Sequence, residues 1–254
     1  MLIALTRKVS PRINECELTF VPRAAIDVPR AMEEHKGYEE CLRNLGVQVV
    51  SLPAEESMPD AVFIEDTAIV LDEVAVLTHM GVDSRREEVE SVGVVLEQYR
   101  PLERMVLPAT IEGGDVLRIG RTLYVGITTR TNSAAIGQLQ DILSPFGYDV
   151  RGVPVNGCLH LKTGCSFLGR NTVLMNSSWV DRSAFTDYTV IEVPREEEMA
   201  GNVLVINETV IIPKSHVRTA ALLESHNFTL QTVDISELQK AEAGLTCLSL
   251  VFRQ

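Results

Sequence analysis

The sequence predicts an α/β fold: a five-bladed propeller of ββαβ-type repeats with pseudo-fivefold symmetry. Three observations point to it. Four apolar stretches, each broken by a short turn, recur along the chain; helical segments follow several of them; and the two ends supply the parts of a fifth unit. The turn residues Asp72, Gly120, Gly169 and Asn207 are 48, 49 and 38 positions apart. Identity between the units is low, so the spacing carries the inference. A generic mixed α/β domain whose hairpins recur by chance is the alternative.

Taken in order, residues 1–6 read as a strand, 29–45 as a helix and 47–52 as a second strand. The first hairpin covers 67–77 and turns at Asp72. A helix over 84–99 follows, opened by the Ser84/Glu87 capping pair and carrying Val89, Val92, Val95 and Leu96 on one face. Residues 105–108 then form a short strand. The hairpin at 116–125 turns through Ile119-Gly120-Arg121-Thr122 and precedes a helix over 131–146 and a strand over 150–155. Hairpins at 166–175 and 203–212 follow, the second continuing into a helix at 217–225 and a strand at 229–233. Residues 248–252 are strand-like and complete a fifth unit with the first 52 residues. Placing both ends of a chain in one module closes a ring.

Of the 254 residues 45% are hydrophobic, enough for a large core, and no Ser/Gly/Pro-rich linker divides them, so a single domain over 1–254 is expected. The apolar runs are too short to span a membrane. The charges at Arg7 and Lys8 follow the first apolar stretch, the reverse of a signal peptide. A cytoplasmic location with five reduced cysteines is expected, and a homodimer is compatible with the sequence. The net charge of −12 argues against nucleic acid as a partner and admits a cationic ligand.

Polar residues gather where each hairpin begins: Asp60, Glu65 and Asp66; Glu112-Gly113-Gly114-Asp115; His160; Asn202; and Cys247. From Glu65 to Glu112 is 47 positions, and from Glu112 to His160 is 48. Equivalent points of a closed ring meet at its axis, which brings Glu65, Asp66, Glu112, His160 and Cys247 into one cavity. A thiolate nucleophile, an imidazole that moves protons and a carboxylate that orients the imidazole form a working set. Further carboxylates suit a planar cation such as guanidinium. Gly113 and Gly114 allow backbone to approach a ligand closely. Each residue also has a plainer reading, since a buried cysteine is often a small hydrophobe and His160 lies between two leucines. Cys16, Cys41, Cys158 and Cys165 are read in that plainer way. Cys158, His160 and Cys165 lack a second cysteine pair, so no metal site is expected.

The motifs Pro59-Asp60-Ala61-Val62-Phe63-Ile64-Glu65-Asp66, Ser84-Arg85-Arg86, Ile111-Glu112-Gly113-Gly114-Asp115, Arg130-Thr131-Asn132, Leu159-His160-Leu161-Lys162-Thr163-Gly164 and Gly244-Leu245-Thr246-Cys247 follow one another in a set order. Together they resemble the dimethylarginine dimethylaminohydrolases of the guanidino-modifying pentein superfamily. The resemblance implies hydrolysis of Nω-methylated L-arginine to L-citrulline and an alkylamine through an S-alkylthiouronium on Cys247. It implies His160 as acid and base, and Glu112 as the carboxylate holding it. Asp66 would grip the guanidinium. Glu65 and Asp60 would be further substrate contacts, and Arg85 and Arg130 would receive the α-carboxylate. Leu18 would lie in a lid, and Ala241 would offer a backbone carbonyl. No metal or organic cofactor is implied. The alternatives are a deiminase-like hydrolase of arginine or another guanidine, an amidinotransferase, and a non-catalytic propeller that binds a partner. The length of the chain, close to that of a bare propeller, favours the methylarginine reading.

Overall fold

The computed structural model describes residues 1–254, and its strands form five three-stranded sheets. β1 (Leu2–Arg7) leads through α1 (Val28–Asn44) to β2 (Gln48–Leu52). The second unit holds β3 (Ala68–Val70), β4 (Ala75–Leu77), α2 (Glu88–Leu96) and β5 (Leu102–Arg104). The third holds β6 (Val116–Ile119), β7 (Thr122–Ile127), α3 (Ser133–Leu143) and β8 (Asp149–Pro154). The fourth begins with the single turn α4 (Leu161–Gly164) and continues into β9 (Cys165–Gly169), β10 (Thr172–Met175) and β11 (Thr189–Glu192). In the fifth, β12 (Leu204–Ile206) and β13 (Thr209–Pro213) precede α5 (Val217–Ser225) and β14 (Thr229–Val233). Last comes β15 (Leu250–Arg253), which pairs antiparallel with β1.

Every sheet repeats one plan. A middle strand is antiparallel to one neighbour and parallel to the other, which it reaches through a crossover. The antiparallel strands β3, β6, β9, β12 and β15 all wall one cavity of about 770 Å³, so they are the inner strands of a five-bladed ring. The apolar core divides in the same way, into five clusters that each lie between adjacent blades. Ile3, Leu5, Leu250 and Phe252 pack on Ala68, Ala75 and Leu77; Ile69 and Val76 pack on Val116 and Leu123; and so on around the ring. The last of these sets Ala4 and α1 against Ile206, Ile211 and Val233, which closes the circle.

Local chemistry explains most elements. Gly120, Gly169 and Asn207 have φ of +62°, +79° and +46°, the left-handed backbone that tight hairpin turns need. The Asp27 carboxylate caps α1 through the Arg30 N–H, and the Asn132 side chain caps α3 through Ala135. α3 buries Ala135, Leu139 and Leu143 at helical spacing.

Two expectations need correction. Ser84 caps no helix: it lies in a 3-10 turn, its hydroxyl donates to Glu17, and α2 starts at Glu88, after Arg85 has turned inward onto buried carboxylates. The strand expected at 105–108 instead covers Leu102–Arg104. Between β10 and β11 the crossover is a 3-10 turn, Arg182–Phe185, in place of an α-helix. No helix is long and apolar enough to cross a membrane.

Ring closure through β15 is testable. Phe252 is buried and meets the Tyr99 ring edge-on at 5.3 Å. Phe252→Ala is expected to cost about 3–5 kcal/mol, a fall of roughly 10 °C in the thermal midpoint, read by circular dichroism. A midpoint within a degree of the parent would mean that the contact between the first two blades contributes little.

Candidate active site

Each inner strand is preceded by a short helical turn, and those turns carry the polar residues. Ile64–Thr67 holds Glu65 and Asp66, Gly113–Asp115 follows Glu112, α4 follows His160, Arg195–Gly201 precedes Asn202, and Thr246–Leu248 holds Cys247. In space the Cys247 turn touches the Asp66 turn, which touches the Gly113 turn, then α4, then the Arg195 turn. The equal spacing in the sequence thus becomes proximity at one end of the ring.

His160 is buried, and its Nε2 lies 2.8 Å from Glu112 Oε2. Glu112 Oε1 accepts the Gly81 N–H at 3.1 Å and lies 3.5 Å from Arg130 Nη1. The free imidazole nitrogen, Nδ1, is 3.9 Å from Asp66 Oδ1. Asp66 accepts from the Gly114 N–H and pairs with Arg85 Nη1 at 2.8 Å. Burial alone would lower the His160 pKa, but the charges of Asp66 and Asp115 and the Glu112 hydrogen bond raise it to about 9. Burial pushes the carboxyls of Asp66 and Glu112 up, but the imidazolium and Arg85 together, with the Gly114 N–H at Asp66, outweigh it, so both stay below the usual carboxylate range. The raised imidazole also stabilises the fold. That contribution is complete below pH about 6.5 and is lost as pH climbs through about 9.

Cys247 is partly exposed, and Sγ accepts the Gly244 N–H at 3.4 Å. Burial, then the charges of Glu65 and Asp66, push its thiol up to about 12. The resting pair is therefore thiol and imidazolium. A cation bound beside Asp66 offsets the carboxylates and favours the thiolate.

Cys247 and His160 line one cavity with Asp60, Asp66, Arg85, Arg130, Glu17 and Ala241. Its free volume is about 20 Å³, room for one water and not for an amino acid. Glu17 belongs to the lining, and the segment 17–20 is tied to its neighbours by hydrogen bonds. The Glu17 N–H reaches the Asp60 carboxylate, those of Thr19 and Phe20 reach Glu242, and the Thr19 hydroxyl accepts from Arg130. An arginine-sized ligand fits only if part of this lining moves.

Two predicted contacts lie outside that lining. Leu18 packs on the core cluster beside α1, while its neighbour Glu17 faces the cavity. The Glu65 carboxylate is taken by Lys162 Nζ at 2.5 Å and the Thr246 hydroxyl at 2.7 Å, and both partners open onto the large axial cavity on the far side. Arg85 is at the cavity but heavily committed. Glu88 holds Nε and Nη2, the Asp60 and Phe63 carbonyls share Nη2, and Asp66 takes one N–H of Nη1, so one N–H remains. Sequence reasoning missed Glu88, Glu17 and Glu242. Glu88 was open to discovery as the i+3 partner of Arg85. Gly113 and Gly114 were expected to admit a ligand; instead they admit protein. A Cβ at 113 would sit 2.0 Å from the Glu65 carbonyl oxygen, and one at 114 would sit 2.5 Å from His160 Nδ1. Asp66, Glu112 and His160 place ligand atoms within 4.8 Å of one another, the arrangement nearest to a metal site. The Glu112–His160 hydrogen bond and the bonds from Arg85 and Gly114 to Asp66 engage all three side chains.

A family model described as "N,N dimethylarginine dimethylhydrolase, eukaryotic" matches residues 6–248. An N(G),N(G)-dimethylarginine dimethylaminohydrolase of Pseudomonas aeruginosa is 35% identical over 228 residues, 89% of this chain and 90% of that protein. The protein of the same description from Streptomyces coelicolor is 36% identical over 253 residues, 99% of this chain and 97% of that one. Among solved structures, a cysteine-to-serine variant of the Pseudomonas aeruginosa protein complexed with citrulline superimposes with a TM-score of 0.94 at 32% identity, over 98% of each chain.

Two outcomes follow from the geometry. Gly114→Ala forces the His160 ring and Asp66 aside, so turnover should fall about 100-fold while the circular dichroism spectrum stays native; parental turnover would show that the ring relaxes freely. In the ligand-free protein, thiolate ultraviolet absorbance attributable to Cys247, by difference from Cys247→Ser, should be missing at neutral pH and grow only in strongly alkaline buffer. A signal at pH 7 would contradict the role given to the surrounding carboxylates.

Proposed function

The chain belongs to the dimethylarginine dimethylaminohydrolase family, and from that premise we propose that it hydrolyses Nω-methylated L-arginine to L-citrulline and an alkylamine through a covalent intermediate on Cys247. The observation that carries this reading is the meeting of Cys247 and a Glu112-held His160 in a cavity whose charged lining is four carboxylates, Arg85 and Arg130.

The substrate guanidinium sits against Asp66, where its charge lowers the cost of ionising Cys247, whose proton leaves to solvent because His160 already carries its own. Sγ then bonds to the guanidinium carbon as the C–N bond to the methylated nitrogen breaks. His160, protonated at rest, gives its proton to the departing amine through Nδ1, because Nε2 is held by Glu112. The resulting thiouronium carries an S–C bond that water displaces. His160, now neutral, takes the proton of that water, and the C–S bond breaks to release citrulline and restore the thiol. Water oxygen becomes the ureido oxygen.

The amino-acid end is recognised by charge. Asp60 suits the α-ammonium, and Arg130 suits the α-carboxylate, with Arg85 adding its one remaining N–H. In the structure these groups hold the Glu17 N–H and the Thr19 hydroxyl, so the segment around Leu18 acts as a lid whose own polar groups give way to the substrate. The Ala241 carbonyl completes the wall. Glu65, held by Lys162 and Thr246, supports the Cys247 turn from behind. Five free cysteines are consistent with a reducing cytoplasmic setting.

The test is citrulline release from a panel of N-methylarginines, arginine, hydroxyarginine and agmatine. Methylated arginines should give the highest kcat/KM, whereas preference for arginine would make the protein deiminase-like and no turnover of any member would refute the reading. Cys247→Ala should lose about 10⁴-fold or more in kcat with its fold intact. Arg130→Ala should raise KM for methylated arginine about 10- to 100-fold, with the smaller effect on kcat. Arg85→Ala should also lower the thermal midpoint, because it strands buried Asp66 and Glu88. An unchanged KM in Arg130→Ala would place the α-carboxylate elsewhere.

A further inference from the structure

Asp115 is wholly buried just before β6, touches no part of the catalytic cavity, and yet its carboxylate is bonded to two of the segments that build it and, through a hydroxyl, to a third. Oδ1 accepts the Leu161 N–H at 2.9 Å, directly after His160. Oδ2 accepts the hydroxyls of Thr128 at 2.8 Å and Thr131 at 2.6 Å, the residues that bracket Arg130. The Thr128 hydroxyl oxygen in turn accepts the N–H groups of Arg130 and Thr131. The Thr131 hydroxyl oxygen accepts the N–H of Glu112. One carboxylate therefore ties together the turn that presents the imidazole, the turn that presents the Arg130 guanidinium, and the backbone of Glu112.

Resting on the hydrolase reading above, we propose that Asp115 is a positioning residue that sets both the orientation and the proton affinity of His160 and, through the same carboxylate, the reach of Arg130. Its place is specified sterically as well. Gly126, on the neighbouring strand β7, has no room for a side chain, because a Cβ there would lie 2.7 Å from Asp115 Oδ1. An anion enclosed in this way is costly unless donors reach it, and here one backbone N–H and two hydroxyls do. Burial raises its carboxyl to about 6, so it remains ionised where His160 titrates. The groups acting on His160 are Asp66, Asp115 and Glu112, with Arg85 and Arg130 on the far sides of Asp66 and Glu112. Of the three carboxylates only Asp115 has no arginine partner. Its charge acts on the imidazole with the least compensation.

Asp115→Asn keeps the size of the side chain and removes the charge. In the ligand-free protein, the His160 ring followed by NMR and assigned against His160→Ala should titrate about one pH unit or more below its parent value. Citrulline release at neutral pH should fall about tenfold or more in kcat, and KM for the amino-acid substrate should rise by a similar factor, the loss expected for a hydrogen bond to a charged group. Thr128→Val preserves the Asp115 charge and loosens only the Arg130 turn, so it should raise KM and leave the His160 titration in place; it also serves if Asp115→Asn fails to fold. The NMR measurement needs no turnover, so failure of the hydrolase reading and failure of this one are told apart: a parent protein inactive on the whole panel refutes the former alone. An unshifted His160 titration with unchanged kcat in Asp115→Asn, or an unchanged KM in Thr128→Val, overturns the positioning role.

Discussion

Six buried carboxylates, Asp60, Glu65, Asp66, Glu88, Glu112 and Asp115, crowd one end of the ring, and only Arg85, Arg130 and Lys162 stand among them as permanent cations. Even with His160 protonated the cluster remains short of positive charge. Removing so many anions from water is unfavourable unless each finds donors, and the backbone supplies many of them: Gly81 to Glu112, Gly114 to Asp66, Glu17 to Asp60, Leu161 to Asp115. This arrangement explains the raised thiol, the charged imidazole and the fit for a planar cation.

The ring exists to bring these groups together. Each blade is too small to bury both of its faces, and each apolar cluster is shared by two blades, so the sheets stabilise one another only as a closed set. The same closure takes turns about 48 residues apart in the sequence, such as those of Glu112 and His160, and packs them side by side. Fold and site are one consequence of a single repeat.

What the sequence made legible follows from this. Hairpin turns announced themselves because left-handed backbone favours Gly and Asn, as at Gly120, Gly169 and Asn207. Glu112, His160 and Cys247 were legible because they sit at equivalent points of the repeat. Glu242 was not, since its carboxylate serves the N–H groups of Thr19 and Phe20, more than 220 positions away, and no local pattern encodes such a pairing. Ser84 was misread because a Ser-x-x-Glu pattern marks a helix start only where no stronger partner competes; here the buried salt bridges of Arg85 displaced the helix by a turn. The partners of Glu65 were hidden for the same reason, as Lys162 and Thr246 come from other blades.

The strand that seals the circle begins three positions after the nucleophile. The docking of β15 on β1, the last strand against the first, thus sets the Cys247 turn beside the Asp66 turn. Closing the ring and completing the catalytic cavity therefore draw on the same short stretch of chain.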